Sequence, residues 1–310
     1  MKKRKIFVIL LASTGLLLTS CGGSSSSDSG APGTEQTDIQ IPEVALDATA
    51  AALVPERFKD QGISIASDIP YAPMEMFDEN NNVYGVDYDL AVAIGQKLGL
   101  KISFNDQDWD GIIPSLQSGL HDVIISGIND TVERQETLDF VDYFKAGFSI
   151  LVKKGNPEGI TTLTDLCGKT VAVIISTVQG DLLRALEPQC VEAGKAPVDV
   201  MELPDDPAVL SAIRAGKAVA VVSDAAPAAY AAQTAGDGQY FELVKDAANP
   251  NGYETVFTAI AVLKEDNDLA LAIQAALQSL MDDGTYMQIL KKYNVDYFAV
   301  PEATINGTKS

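Results

Sequence analysis

Ser126-Gly127-Ile128-Asn129-Asp130-Thr131-Val132-Glu133-Arg134 follows the apolar run Val123-Ile124-Ile125 and precedes a polar, helix-prone segment. That order describes a strand ending in a loop and passing into a helix, with Asp130 or Thr131 as N-cap and Glu133 in the first turn. In open α/β sheets, ligands collect at the carboxyl ends of strands. Arg134, one helical turn past such a loop, presents paired donors that suit a carboxylate. The same residues also describe a surface helix whose Arg134 pairs with a nearby acid, since arginines are mostly exposed.

Working outward, Gly62–Ser67 alternates like a first strand and delivers Asp68-Ile69-Pro70-Tyr71-Ala72-Pro73 at its end. The prolines stiffen that loop. Tyr71 is either a ring for stacking on a ligand or a core aromatic. Asp78–Asn82 is a turn in a solvated hairpin; its spacing brushes against a calcium loop, but Val83 stands where glycine is needed, so no metal is expected. Asp87–Gly99 is a helix with Leu90, Ile94 and Leu98 in one stripe, acids at its start and Gly99 at its end. Lys101–Asn105 is the next strand and Trp109–Gly119 a short helix with the only tryptophan at its entrance. His121, the only histidine, has no partner that would make it a metal ligand or a catalytic base.

After the apolar run Phe148–Val152 the βα pattern restarts. Strands are expected at Thr170–Ile175, Val198–Glu202 and Ala218–Val222, with helices opening at Ser176-Thr177-Val178-Gln179, Pro207 and Pro227. Glu254–Val262 is the last long strand, and amphipathic helices at Leu269–Met281 and Thr285–Tyr293 follow. Two βα series joined by extended segments predict two lobes with two crossings, near Phe148–Val152 and Thr255–Ala261, a geometry that permits hinge closure.

Composition narrows the function classes. Lys2, Lys3, Arg4 and Lys5 form a basic start before the apolar stretch Ile6–Leu18, which is too short for a comfortable membrane span, so residues 1–20 read as a signal peptide. Removing those four cations takes the net charge from −21 to −25, a poor match for nucleic acid. Gly22–Gly33 is a Gly/Ser tether that the acidic stretch from Thr34 to about Asp47 continues. Roughly 250 residues remain, enough for two lobes of ordinary domain size. An exported chain lives where disulfides persist, so Cys167 and Cys190 are expected to pair, with two free buried thiols as the alternative.

Two resemblances follow from these residues. Leu18-Thr19-Ser20-Cys21 resembles the lipobox of bacterial lipoproteins, which implies cleavage before Cys21 and an acyl anchor at that residue. The pieces Asp68…Tyr71-Ala72-Pro73, Gly85–Leu90, Trp109–Leu116, Ser126-Gly127…Arg134, Gly168–Val173, Ser176–Gln179, Ser223-Asp224 and Asp283–Tyr286…Tyr293 together resemble the amino-acid-binding solute receptors of ABC importers, across about residues 60 to 300. The resemblance implies an α/β, two-lobed, periplasmic-binding-protein-like (type II) fold with a two-stranded hinge.

By the same resemblance, Arg134 grips the ligand α-carboxylate with help from N–H groups near Thr177-Val178. Asp224 takes the α-ammonium with a carbonyl near Gly127, Tyr71 and Trp109 sandwich the side chain, and Asp68 meets its polar head. Ser126, Asn129 and Ile174 complete the implied lining. Asn129 stands where serine or threonine is commoner, and Val178 where threonine often sits. The implied function is a substrate-binding lipoprotein that captures an amino acid, polar or cationic because of Asp68, by hinge closure and delivers it to a membrane permease. No cofactor and a monomeric chain are expected, anchored outside the cytoplasmic membrane at a cell surface or in a periplasm. The alternatives are a cyclohexadienyl or arogenate dehydratase on the same scaffold, with Asp68 or Glu75 as general acid, or a ligand sensor that docks to a separate receptor. The expected division is signal peptide 1–20, lipidated cysteine and linker 21–55, first lobe 56–148 and 255–300, second lobe 149–254, and tail 301–310.

Overall fold

The computed structural model describes residues 43–309. The expected signal peptide, the Cys21 lipid site and the tether up to residue 42 lie outside the described residues. Twelve strands are present among them: β1 (Ile63–Ser67), β2 (Met76–Phe77), β3 (Val83–Tyr84), β4 (Ile102–Asp106), β5 (Val123–Ile124), β6 (Leu138–Lys153), β7 (Thr170–Ile174), β8 (Asp199–Leu203), β9 (Ala220–Asp224), β10 (Phe241–Leu243), β11 (Tyr253–Leu263) and β12 (Ala299–Ile305). β2 and β3 form the expected hairpin, whose turn is held by Asp78 accepting from the Asn80 and Asn82 N–H groups. The other ten make one mixed sheet in the order β4-β1-β5-β11-β6-β9-β7-β8, with β10 and β12 also paired to β6.

The long strand β6 explains the two lobes. Its first part, Leu138 to Ala146, pairs antiparallel with β11, and its second, Phe148 to Val152, pairs antiparallel with β9. On one side β1 runs parallel to β4 and β5; on the other β7 runs parallel to β8 and β9. Parallel strands are covered on both faces, which is why Val171, Ala172 and Val173 are all fully buried. In the first lobe, helices Val86–Leu98, Asn267–Asp282 and Thr285–Lys292 bring Leu90, Ile94, Leu277 and Ile289 onto one face of the sheet, while Ile112, Leu116, Ile128 and Phe140 fill the other. The second lobe has Val171, Leu183 and Cys190 on one face and Val209, Ile213 and Phe241 on the other.

The helix expected from Asp87 is present as Val86–Leu98, ended by Gly99 at a left-handed φ of +68°. Asp87, however, is a buried acceptor and no solvated helix-start acid: it takes hydrogen bonds from the Gly127 N–H and the Tyr143 hydroxyl. Cys167 and Cys190 are bonded, joining the approach to β7 to helix Glu187–Glu192.

Several expectations are corrected. The segment after Asn129 makes only one 3-10 turn, Arg134–Glu136, because the Thr131 hydroxyl accepts from the Arg134 N–H and the chain enters β6 four residues later. The linker does not run to residue 55: Asp47 caps helix Ala48–Ala52, and Val44, Ala50 and Val54 are buried in the first lobe's core. The tail expected from residue 301 contains most of β12. The first crossing, expected near Phe148–Val152, falls at Ala146-Gly147-Phe148, where β6 changes partner and Phe148 pairs with both β11 and β9. Gly147 is required there: a Cβ would fall 2.7 Å from the Asn251 carbonyl oxygen and 2.8 Å from that of Tyr253.

Candidate functional site

Between the lobes lies a cavity lined by Asp68, Tyr71, Trp109, Ser126, Gly127, Asn129, Ile174, Thr177 and Asp224, together with Gln179, Val209, Val221, Val222 and Ser223. Nine of the eleven expected ligand residues therefore meet in one place. The topology causes this. Asp68 follows β1, Ser126 follows β5, Thr177 follows β7 and Asp224 ends β9. All are carboxyl ends of parallel strands, where chain reversals leave backbone and polar side chains facing the crevice.

Gly127, at φ +56°, lets the loop lie against the Tyr71 ring; a Cβ would fall 2.8 Å from Tyr71 Cε1. Tyr71 is both of the things its sequence allowed: 8% exposed and part of the core, yet lining the cavity and donating its hydroxyl to Asp224 Oδ2. Asn129 Nδ2 donates to Asp224 Oδ1 at 3.2 Å. Burial pushes the Asp224 carboxyl up, while these two hydrogen bonds, the Arg134 charge and Gln179 oppose the rise. The net direction is upward, so a cation in contact would lower it again.

Arg134 and Val178 sit beside the lining. Arg134 lies 5.6 Å from the centre of the Trp109 ring and donates only to carbonyl oxygens, Asn129 O at 3.1 Å and Ser176 O at 3.3 Å. It forms no ion pair among the described residues. Burial pulls its pKa down, an effect that a bound anion reverses. Val178 begins helix Val178–Arg184, and Thr177 precedes it with its hydroxyl turned back onto the Ile174 carbonyl. The first N–H groups of a helix have no intrahelical acceptor, so this start faces the cleft with donors to spare. Ser176 also reaches across the cleft to Asp110, at 2.9 Å.

The other end of the site is acidic. Asp68, half-buried, is pushed up to about 7 by burial first and then by Asp106, Asp205 and Asp108. Asp206, which begins helix Asp206–Ala215, is pushed up to about 7 by burial, Asp205 and Asp68. None of these acids is in an ion pair among the described residues. Glu75 does not line the cavity. It is fully buried behind Ser126, whose hydroxyl donates to it at 2.9 Å, and burial with the neighbouring Asp87 pushes its carboxyl well above the usual range.

Sequence reading missed Gln179 and Asp206. Gln179 is 4% exposed, and its Oε1 has no hydrogen-bond partner although it lines the cavity. A polar side chain one residue into a helix that starts at the cleft was the available signal. Asp206 offered none, because a helix-start acid reads first as a capping charge. His121 is away from the cleft, its Nδ1 3.0 Å from the Ser64 hydroxyl. Among the described residues there is no cluster of metal ligands, and no helix is long and apolar enough to cross a membrane.

Residues 63–296 match the family described as bacterial extracellular solute-binding proteins, family 3. The arginine-binding protein ArgT of Corynebacterium glutamicum is 32% identical over 259 residues, covering 82% of each chain. Among solved structures, an ancestral arginine-binding protein bound to arginine shares 36% identity at a TM-score of 0.65, over 74% of this chain and 97% of that one. An ancestral amino acid-binding protein, AncCDT-1, described as a precursor of cyclohexadienyl dehydratase, shares 29% identity at a TM-score of 0.67, over 78% and 99%. Two lobes joined by β6 and β11, a cleft at the strand ends and a family match spanning every segment that lines it lead to one assignment: the chain belongs to family 3 of the bacterial extracellular solute-binding proteins.

Proposed function

We propose that the chain is the solute receptor of an importer for a cationic amino acid. The observation that carries the choice of ligand is Asp68: a half-buried carboxyl lining the cavity, raised to about 7 beside Asp206, with no cation paired to it among the described residues. A positively charged side chain placed there removes the repulsion and restores both acids to their charged form. At the opposite end, Arg134 and the N–H groups at Thr177-Val178 take the α-carboxylate, and Asp224 with Asn129 takes the α-ammonium. Tyr71 and Trp109 supply aromatic faces to a cation that passes between them. The relatives that bind arginine support the same choice. Contacts from both lobes to one ligand give the closed form its extra affinity, and that difference is the mechanism of capture. A membrane permease as recipient, a lipid anchor at Cys21 and a signal peptide complete the reading.

A thermal-shift panel of the standard amino acids and ornithine on the mature chain tests it. A ligand that binds only the folded state adds about 2.7 kcal/mol at a hundred times its Kd. Arginine, lysine and ornithine are expected to raise the midpoint, and Arg134→Ala to abolish the shift. No shift with any amino acid overturns the proposal. Of the two acids named for the dehydratase alternative, Asp68 lines the cavity and Glu75 is sealed behind Ser126. Loss of water from prephenate or arogenate with the purified chain would revive it.

A further inference from the structure

Asp130, Asp139 and Asp142 surround the base of the loop that carries Asn129 and Arg134. They are 0%, 6% and 0% exposed, and none forms an ion pair among the described residues. Carboxylates taken out of water need donors. Most of theirs come from one place, the segment from Thr304 to Thr308, which follows the 63–296 family match. Thr304 Oγ1 and the Gly307 N–H donate to Asp142 Oδ2 at 2.7 and 2.9 Å. The Thr308 N–H donates to Asp130 Oδ2 at 3.0 Å, and Asn306 Nδ2 to Asp139 Oδ1 at 2.9 Å. Asn306 also exchanges two hydrogen bonds with the backbone of Phe140, each 2.9 Å. Gln135, in the loop itself, closes the arrangement by donating to both Asp130 Oδ1 and the Thr308 carbonyl, at 2.6 and 3.0 Å.

The opposite side of the loop is tied to β11: the Asp130 N–H donates to Phe257 O and the Ala259 N–H to Ile128 O. The loop is thus held between β11 and the segment after β12, with Asn129 and Arg134 on the cleft side. Burial and the adjacent Asp130 push the Asp142 carboxyl up to about 7, as expected of two buried acids in contact.

We propose that Thr304–Thr308, acting through Gln135, Asp130 and Asp142, is a positioning clasp that sets Arg134 for the ligand's α-carboxylate. This rests on the reading of Arg134 as the carboxylate holder. When only a fraction of molecules has the loop in its binding arrangement, the apparent Kd rises by the inverse of that fraction.

The test compares L-arginine with L-argininamide, which lacks the carboxylate, by calorimetry on the mature chain. Gly307→Val attacks the clasp from its own side, since a Cβ there falls 2.4 Å from Asp142 Oδ2 and 2.9 Å from Thr304 Oγ1. Gln135→Ala attacks it from the loop side with no new bulk, and keeps the test usable should the valine variant not fold. Glu302→Ala, at an exposed residue just before the clasp segment, is the control. In a clasp variant whose unliganded melting shows a folded protein, arginine is expected to bind about tenfold more weakly, with argininamide changed by less than about twofold. Equal weakening of both ligands, or an unchanged ratio in the folded variants, overturns the clasp. A wild-type chain that binds neither ligand, or does not distinguish them, overturns the Arg134 reading instead, and that is seen before any variant is made.

Discussion

Replacing Asp68 with asparagine keeps the size of the side chain and an oxygen for the Trp109 N–H that it accepts, while removing the charge. With a cationic ligand in place, the lost interaction is a charge-assisted hydrogen bond, worth about 1.5–3 kcal/mol. At about 1.4 kcal/mol per decade this raises the Kd for arginine on the order of 10- to 100-fold. Citrulline has the same reach without the charge and should change much less, so the arginine-to-citrulline preference falls by nearly the full factor.

The pH dependence supplies a second arm. Asp68 stands at about 7 in the unliganded protein and must be ionised to hold a cation. Binding therefore expels a proton below pH 7, and affinity drops by up to about tenfold per pH unit as pH falls from 7. Above 7 the profile is flat. Asp68→Asn removes this group's share of the slope, leaving that of Asp206. Titration calorimetry at pH 5.5 and 7.5, in buffers of differing ionisation heat, reads both affinity and proton release. Wild-type arginine preference retained in Asp68→Asn, or an affinity that rises on acidification, would refute the reasoning.

Two further substitutions probe the frame. Gly147→Ala places a methyl 2.7 Å from the Asn251 carbonyl oxygen at the crossing between lobes, and overpacking of this kind costs about 1–3 kcal/mol; an unchanged denaturant midpoint would count against the close approach of β6 and β11. Removing the Cys167–Cys190 bond by a double serine substitution opens a link between residues 23 apart, worth about 3 kcal/mol by loop-closure entropy, and should leave the arginine Kd unchanged because neither cysteine lines the cavity. A large loss of affinity with stability intact would contradict that separation.

Much of this protein was decided within short stretches of its sequence. The helix Val86–Leu98 follows from a stripe of Leu90, Ile94 and Leu98 with Gly99 to end it, and β7 and β9 from apolar runs bounded by turn residues. The cleft residues were legible for a related reason. Asp68, Tyr71, Ser126, Thr177 and Asp224 each sit at or just past the end of such a strand, so their place in the fold follows once the strands are recognised.

What escaped is long-range. The first half of β6 carries Asp139, Asp142 and Lys145, which break any apolar alternation; donors arriving from Asn267, Thr304, Asn306 and Gly307 make burial of the two acids tolerable. Asp87 reads as a helix-start acid and Glu75 as a candidate general acid, yet the fold buries both under the Ser126-Gly127 loop, where they accept from Ser126, Gly127 and Tyr143 while Glu75 Oε2 has no partner among the described residues. Asp206 is pushed up by burial first, then by Asp205 and by Asp68, some 138 positions earlier in the chain. Local propensity and hydrophobic period act over a turn of helix or a few residues of strand. The charge state of a buried carboxyl depends instead on partners that only the folded chain brings together.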